Sequence, residues 1–165
     1  MARFRFARPW TGGAPAPIVA VMSDYLSLSL LAALAAALLV GSMLFFAAMV
    51  APMVFKVLDE ATAGRFIRRL FPVYYLGMFA FAAAAAAAAA VVRPIDAVVL
   101  ALVALGFLYA RQVLMPRINA MRDQELAGES AAGKRFQRLH SLSVWINGAQ
   151  FLAATVVLAR LIVAA

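Results

Sequence analysis

Long apolar runs with almost no charged residues alternate along this chain with shorter segments that carry most of its arginine. Four runs, at residues 26–50, 73–92, 95–114 and 142–163, each supply about the 20 residues that a helix needs to cross the hydrocarbon core of a bilayer. Their polarity does not alternate from residue to residue, as the strands of a transmembrane β-barrel would require. The pattern therefore predicts an all-α polytopic membrane protein whose four spans form an antiparallel helix bundle.

The segments between these spans carry signals of their own. Arg93-Pro94 interrupts the helix between spans 2 and 3, and Asp96 is placed to cap the third span. So short a link forces the two spans into an antiparallel hairpin. In the segment DEATAGRFIRRLF the arginines fall on one side of a helix and the large apolar residues on another. This predicts a short interfacial amphipathic helix between spans 1 and 2, kinked at Pro72, with a solvated linker helix as the alternative.

The N-terminal segment differs in composition from the rest of the chain. Residues 1–25 are rich in proline, glycine and arginine and have no clear periodicity, which predicts a flexible leader before a membrane domain at 26–165. Met22 is an alternative start of translation. A cleaved signal peptide is disfavoured because the apolar run that follows is longer than the hydrophobic region of such a peptide.

Composition supports the membrane assignment and excludes several kinds of chemistry. Hydrophobic residues make up 67% of the chain and charged residues 13%, whereas soluble domains have roughly half and a quarter. The absence of cysteine excludes disulfides, thiolate metal sites and a cysteine nucleophile. The formal charge of +8 comes from basic residues beside the apolar spans. It favours the lipid bilayer and its anionic headgroups as partners, rather than nucleic acid.

The distribution of positive charge predicts an orientation. The connections between spans 1 and 2 and between spans 3 and 4 carry roughly twice as many lysines and arginines as the opposite side. By the positive-inside rule, these connections face the cytoplasm of an inner membrane and both termini are extracytoplasmic. The three arginines of the leader argue for the reverse orientation.

A polar stripe enters the fourth span. His140, Ser143, Asn147 and Gln150 fall within about 80° of arc at 100° per residue, so they share one helix face. Because polar side chains are costly in lipid, this face is predicted to look into the bundle. The stripe would serve either as hydrogen bonds between spans, worth about 0.6–2 kcal/mol each, or as a ligand or ion site with His140 as proton carrier or ligand.

Three segments lie in order at the edges of the predicted spans: APMVFKVLDEATAGRFIRRLFPVYY, VLMPRINAMRD and FQRLHSLSVWING. With them the chain, over residues 28–163, resembles the transmembrane protein two-hundred-and-five-like family, a bacterial domain of unknown function that also occurs in eukaryotes. The resemblance implies a small four-span helical membrane protein and carries no settled biochemical activity. The polar and turn residues that match are Pro52, Phe55, Phe71, Pro72, Tyr74, Pro116, Arg117, His140, Ser143 and Asn147.

The predicted cytoplasmic rim is the candidate functional site. Its basic and polar residues would bind an anionic ligand, a lipid headgroup or a partner through charge-assisted hydrogen bonds. The candidate binding residues are His140, Ser143, Asn147, Lys56, Arg65, Tyr74 and Arg117.

Two other classes of function stay open. The chain would act as an accessory or assembly subunit, or as a homo-oligomer, through the smooth surfaces that its many alanines provide. Alternatively it would handle haem or a metal through His140, with a methionine or a second subunit as the further ligand because the chain has one histidine. An enzymatic role is disfavoured, since no carboxylate within the spans partners Ser143 and His140.

Overall fold

The computed structural model describes residues 16–163, with side chains at 22, 23 and 25–163. Within these residues the elements in chain order are α1 (Ala16–Phe45), a π turn (Phe46–Val50), α2 (Ala51–Val57), α3 (Glu60–Val92), α4 (Pro94–Tyr109), a second π turn (Ala110–Leu114), α5 (Met115–Leu126) and α6 (Ser130–Val163). Helices run through both π turns without a gap, so the chain forms four long helices. Span 1 is α1 with α2, span 2 is α3, span 3 is α4 with α5, and span 4 is α6.

All four helices are long and apolar enough to cross a membrane. Their apolar segments lie in helices of 33 or 34 residues, which are about 50 Å long, whereas the hydrocarbon core of a bilayer is about 30 Å thick. Each helix therefore continues roughly 20 Å beyond the hydrocarbon. The predicted four-helix membrane bundle is confirmed.

The spans pack around one another in chain order. Span 2 contacts spans 1 and 3, span 4 contacts span 3, and span 1 contacts span 4, which closes the ring. Fully or largely buried residues recur alternately three and four positions apart, the spacing of helices that cross at a shallow angle. They include Ala32, Ala36, Leu39 and Met43 in span 1, Met78, Ala82, Ala85 and Ala89 in span 2, Leu100, Val103 and Phe107 in span 3, and Ala154, Val157 and Leu161 in span 4.

Tight turns join the spans at the end that carries most of the charge. Leu58 and Asp59 separate spans 1 and 2, and the Asp59 carboxylate caps α3 by accepting a 3.0 Å hydrogen bond from the Thr62 amide. Residues 127–129 separate spans 3 and 4, and Gly128 supplies the positive φ of 99° that this turn needs. We call this charged part of the bundle, residues 51–70 and 115–141, the outer extension.

The structure corrects the predicted course of the outer extension. Residues 60–71 are not a separate interfacial helix but the first turns of α3, which continues through Pro72. Residues 115–141 are not a long connection but α5 and the start of α6. The physical reason is that these segments are held by ion pairs with one another, described below, and do not need a membrane surface to cover them.

The predicted flexible leader at residues 1–25 overlaps the start of α1. Its first 15 residues lie outside the described residues, and residues 16–25 already belong to α1. These ten residues begin with the apolar sequence APIVAVM, which is continuous with the apolar run of span 1. A helix that has started there extends without a break into the membrane segment.

At the opposite end of the bundle, a buried aspartate connects two spans. Asp96 does not cap α4 as predicted; it is 2% exposed, and its Oδ1 forms an ion pair with Nε of Arg160 in span 4 at a distance of 2.8 Å. Arg93 adds a 3.3 Å hydrogen bond from Nη2 to the Arg160 carbonyl. Because a desolvated carboxylate needs a charged partner, this pair ties spans 3 and 4 together where the chain leaves the bilayer.

Candidate functional site

At one level of the bundle three of the four spans depart from regular α-helical hydrogen bonding. Span 1 has the π turn Phe46–Val50, span 2 has Pro72, and span 3 has the π turn Ala110–Leu114. Span 4 is a continuous α-helix, and at this level its Asn147 side chain donates a 2.9 Å bond from Nδ2 to the Ser143 carbonyl. This level coincides with the hydrocarbon border at residues 50, 73, 114 and 142 that the apolar runs predict. We call it the border level. π-Helical turns occur frequently at functional sites, so this level is a candidate site.

Aromatic rings fill the border level between spans 1, 2 and 3. Phe46 of the first π turn lies 5.5 Å from Phe71 and 4.5 Å from Tyr74, between ring centroids. Tyr75 continues the cluster, 5.2 Å from Phe71 and 6.3 Å from Phe107 of span 3. Such contacts are worth about 0.5–1.5 kcal/mol each beyond the area they bury. The cluster therefore fixes how spans 1, 2 and 3 approach one another.

The polar stripe of span 4 faces the bundle only in part. Ser143 and Gln150 are buried and Asn147 is half-buried, in agreement with the prediction. His140 is exposed, contrary to the prediction, and stacks on Phe136 with the ring centroids 5.8 Å apart. The α-helix turns about 100° per residue, slightly less than a strict seven-residue repeat needs, so a stripe with this spacing drifts around the helix and its start leaves the core.

Two members of the stripe contact other spans. The side chain of Asn147 lies beside that of Tyr75, which brings spans 4 and 2 into contact. Gln150 donates a 2.9 Å hydrogen bond from Nε2 to the Val103 carbonyl of span 3, and its Oε1 is buried without a partner among the described residues. These contacts agree with the prediction that the stripe links neighbouring spans.

A half-buried arginine occupies the second π turn. Arg111 donates a 3.1 Å hydrogen bond from Nε to the carbonyl of Pro72, across the boundary between spans 3 and 2. The sequence indicates only that Arg111 is positively charged, because no sequence signal marks a π turn. The proximity of Pro72 and Arg111 follows only from the antiparallel packing of the spans.

Ion pairs hold the outer extension together. Arg68 of span 2 contacts Asp123 of span 3 at 2.5 Å, and this hydrogen bond holds the pKa of the Asp123 carboxyl below its usual range. Arg122 of span 3 contacts Glu60 of span 2 and donates a 2.7 Å bond to Glu125. Its guanidinium also lies 5.3 Å from the ring centroid of Phe136 in span 4. Arg122 therefore connects three of the four helices.

Other basic side chains of this end have no hydrogen-bond or ion-pair partner among the described residues. Lys134 and Arg138 are exposed, lie one turn apart on α6, and line a shallow depression with Gln137 and Ser141. Like charges at this spacing repel, and no carboxylate of the described chain compensates them. The others without such a partner are Lys56, Arg69, Arg117 and Arg135.

The structure divides the predicted site residues into two groups. The first group is exposed on the outer extension and consists of Lys56, Arg65, Arg117 and His140. Arg65 donates a 2.8 Å hydrogen bond to the hydroxyl of Thr62. Tyr74, Ser143 and Asn147 lie at the border level, where Ser143 donates a 2.7 Å bond from Oγ to the His140 carbonyl. The two groups do not converge on a common pocket.

Side chains that bind metals are not clustered in the part of the chain that the structure describes. Among residues 16–163, no group of three or more histidine, cysteine, aspartate or glutamate side chains lies close enough to hold a metal ion. Haem or metal handling through His140 stays a prediction.

Four apolar membrane-length helices, buried seams spaced for shallow crossing and a charged extension define an integral membrane protein of the four-helix type. A family model described as "Domain of unknown function (DUF4149)" matches residues 34–127, more than half of the chain, and the protein belongs to this family. The match includes the first two of the three segments quoted from the sequence, whereas the third lies beyond it. No curated protein and no solved structure matches the chain.

Proposed function

We propose that the protein binds anionic phospholipid headgroups on the outer extension, with Lys134 and Arg138 of α6 as the principal contacts. The observation that carries this proposal is a pair of exposed like charges without a carboxylate partner, beside the polar groups of Gln137 and Ser141. A phosphate between the two cations would replace their repulsion by charge-assisted hydrogen bonds.

The height of these residues above the membrane suits a headgroup. Arg138 precedes the predicted start of span 4 at residue 142 by four residues, or about 6 Å along a helix. The headgroup layer on each side of the hydrocarbon is about 5–8 Å thick. Arg138 therefore lies at phosphate level, and Lys134, one turn farther out, bends toward it on a flexible side chain.

A second pair of basic residues with the same spacing is in a different electrostatic setting. Arg65 and Arg69 of α3 are also exposed and four residues apart, but Arg65 contacts Thr62. Hydrogen bonds from Thr62, and to a smaller extent the positive charge of Arg65, hold the pKa of the Asp59 carboxyl below its usual value. The Lys134 and Arg138 pair has no comparable compensation. This difference makes the α3 pair a matched control.

The test measures stabilisation of the detergent-purified chain by lipid. Phosphatidylglycerol is expected to raise the Tm more than zwitterionic phosphatidylcholine does, and the gain should shrink in 1 M salt. At about 1 kcal/mol for each basic residue near an anionic surface, K134Q/R138Q should weaken apparent binding about 30-fold. R65Q/R69Q removes the same charge and should keep most of the gain. Equal losses in both double variants would reduce the effect to net charge and refute a site on α6.

The same proposal includes an orientation and a wider relationship. We infer that the outer extension faces the cytoplasm of an inner membrane, because the unpaired basic residues are concentrated there and anionic lipids enrich that leaflet. The three segments that resemble the transmembrane protein two-hundred-and-five-like family support a relationship to it. Lys56, Arg117 and His140 stay predictions as additional contacts at the rim.

A further inference from the structure

Arg111 is a charged side chain whose interactions in the bundle are incomplete. It is half-buried, and its one described contact is the 3.1 Å hydrogen bond from Nε to the Pro72 carbonyl. Arg68, Arg122 and Arg160 each contact a carboxylate, but no carboxylate of the described chain contacts Arg111. A neutral carbonyl satisfies one N–H group and leaves the positive charge without a counter-ion.

The donor count shows what is missing. A guanidinium has five N–H groups in a planar fork, and the bond to Pro72 uses the single one on Nε. Neither Nη1 nor Nη2 has a partner among the described residues. Two parallel N–H groups directed at one anion are the geometry in which arginine binds carboxylate or phosphate most strongly.

The depth of Arg111 makes an unpaired charge expensive. It precedes residue 114, the predicted end of the apolar run, by three residues, and therefore lies about 4.5 Å inside the hydrocarbon border. An ionised side chain at membrane depth is rare unless it pairs or marks a functional site. The bond to Pro72 holds the Nε end in place, so the guanidinium cannot move freely to the water. An anion that pairs with Arg111 must therefore bind at this depth.

We propose that Arg111, anchored on the Pro72 carbonyl, binds one phosphate group where spans 2 and 3 meet at the border level. The ligand is a phosphate that offers two oxygens to the two Nη groups, either the phosphodiester of a phospholipid or an inorganic phosphate. This inference extends the proposed function, since it adds an inner phosphate site to the outer headgroup contacts. The inner site involves spans 2 and 3, whereas the outer one involves α6.

Native mass spectrometry of the detergent-purified full chain tests the inner site. The wild-type protein should retain one phospholipid adduct at collision energies that remove the outer lipids. Hydrogen bonds to a charged group contribute about 1.5–3 kcal/mol, so R111Q should reduce this adduct about tenfold or more. R111K keeps the charge but not the fork and should fall between the two. The control R69Q removes an exposed, unpaired arginine of span 2 and should retain the adduct.

The outcomes separate the two sites and the two sources of phosphate. K134Q/R138Q should keep the retained adduct while losing the stabilisation by phosphatidylglycerol, so failure of the outer site does not affect this measurement. Displacement of the adduct by 10 mM inorganic phosphate, or a phosphate-sized adduct in its place, would make the free ion the ligand. Retention of the adduct in R111Q would overturn the inference. Circular dichroism verifies the fold of each variant. If R111Q does not fold, a reduced adduct in R111K supports the inference and full retention of the adduct in R111K overturns it.

Discussion

Gly106 provides the sharpest test of the contact between spans 3 and 4. A Cβ atom at this position would lie 2.6 Å from Nε2 of Gln150, the atom that donates to the Val103 carbonyl. The substitution G106A therefore cannot coexist with the native position of the Gln150 amide. Since that amide ends a flexible side chain, we expect it to move and the backbone of span 3 to stay in place.

Two opposing terms set the size of the effect. Alanine is favoured over glycine in a helix by about 1 kcal/mol, which stabilises the variant. Displacing the amide loses a hydrogen bond between spans, worth about 0.6–1.7 kcal/mol, and leaves a buried polar group unpaired at about 1–3 kcal/mol. We expect G106A to lower the free energy of unfolding by about 1–2 kcal/mol.

The sign of the effect should reverse when the glutamine is absent. In a Q150A background the added methyl group has nothing to displace, so G106A should be neutral or stabilise the protein by up to about 1 kcal/mol. The coupling energy of the double-mutant cycle is then about 1–3 kcal/mol. Unfolding in sodium dodecyl sulfate, followed by circular dichroism, measures it. The same loss of stability in both backgrounds would refute the steric account of Gly106.

Three further predictions concern the two ends of the bundle. D96N should lower the free energy of unfolding by about 1–3 kcal/mol, because Arg160 loses its anionic partner, and R160Q should add little in the D96N background. Arg68 lowers the pKa of Asp123, so the pair stabilises the fold above pH 4 and this contribution is lost as the pH falls further. D123N should therefore make the Tm less dependent on pH between pH 4 and pH 3. Because the chain has no cysteine, E129C introduces a single thiol, which an impermeant maleimide should label only in inverted membrane vesicles. Labelling only in right-side-out vesicles would place the outer extension on the opposite side.

The number, order and packing of the spans were accessible from the sequence because length and apolarity decide them in a bilayer. The course of the outer extension was not. Its arginines suggested a helix lying on the membrane, but Arg68 contacts Asp123 of span 3 and Arg122 contacts Glu60 of span 2, each more than 50 residues away in the chain. Pairings of this kind depend on tertiary contact, and a helix pattern cannot distinguish a charge that faces phosphate from one that faces an acid.

Only part of the candidate site could be predicted from the sequence. Asn147 and Gln150 could be identified because helical periodicity places them on one face. The exposure of His140 depended on a few tens of degrees of accumulated rotation, which a stripe of four residues does not resolve. Arg111 and Pro72 belong to different spans, and the sequence contains no signal for the bond between them.

The two π turns and the prolines that follow them explain why the border level is irregular. Pro52 and Pro116 each come two residues after the end of a π turn, at Val50 and Leu114 respectively. A proline within a helix clashes with the carbonyl four residues earlier and leaves it without a donor. At both positions that carbonyl belongs to the π turn, whose wider loop gives the ring more room.

Unpaired carbonyls are tolerated at membrane depth only where protein or water can reach them. The border level meets this condition, because it lies where the helices pass from hydrocarbon to headgroups. Arg111 donates there to the carbonyl of Pro72 in the neighbouring span. The second π turn therefore does more than accommodate a proline, since it holds an arginine on span 2 at the level where we propose that a phosphate binds. If R111Q keeps its lipid, accommodation of the prolines is the only role left for these turns.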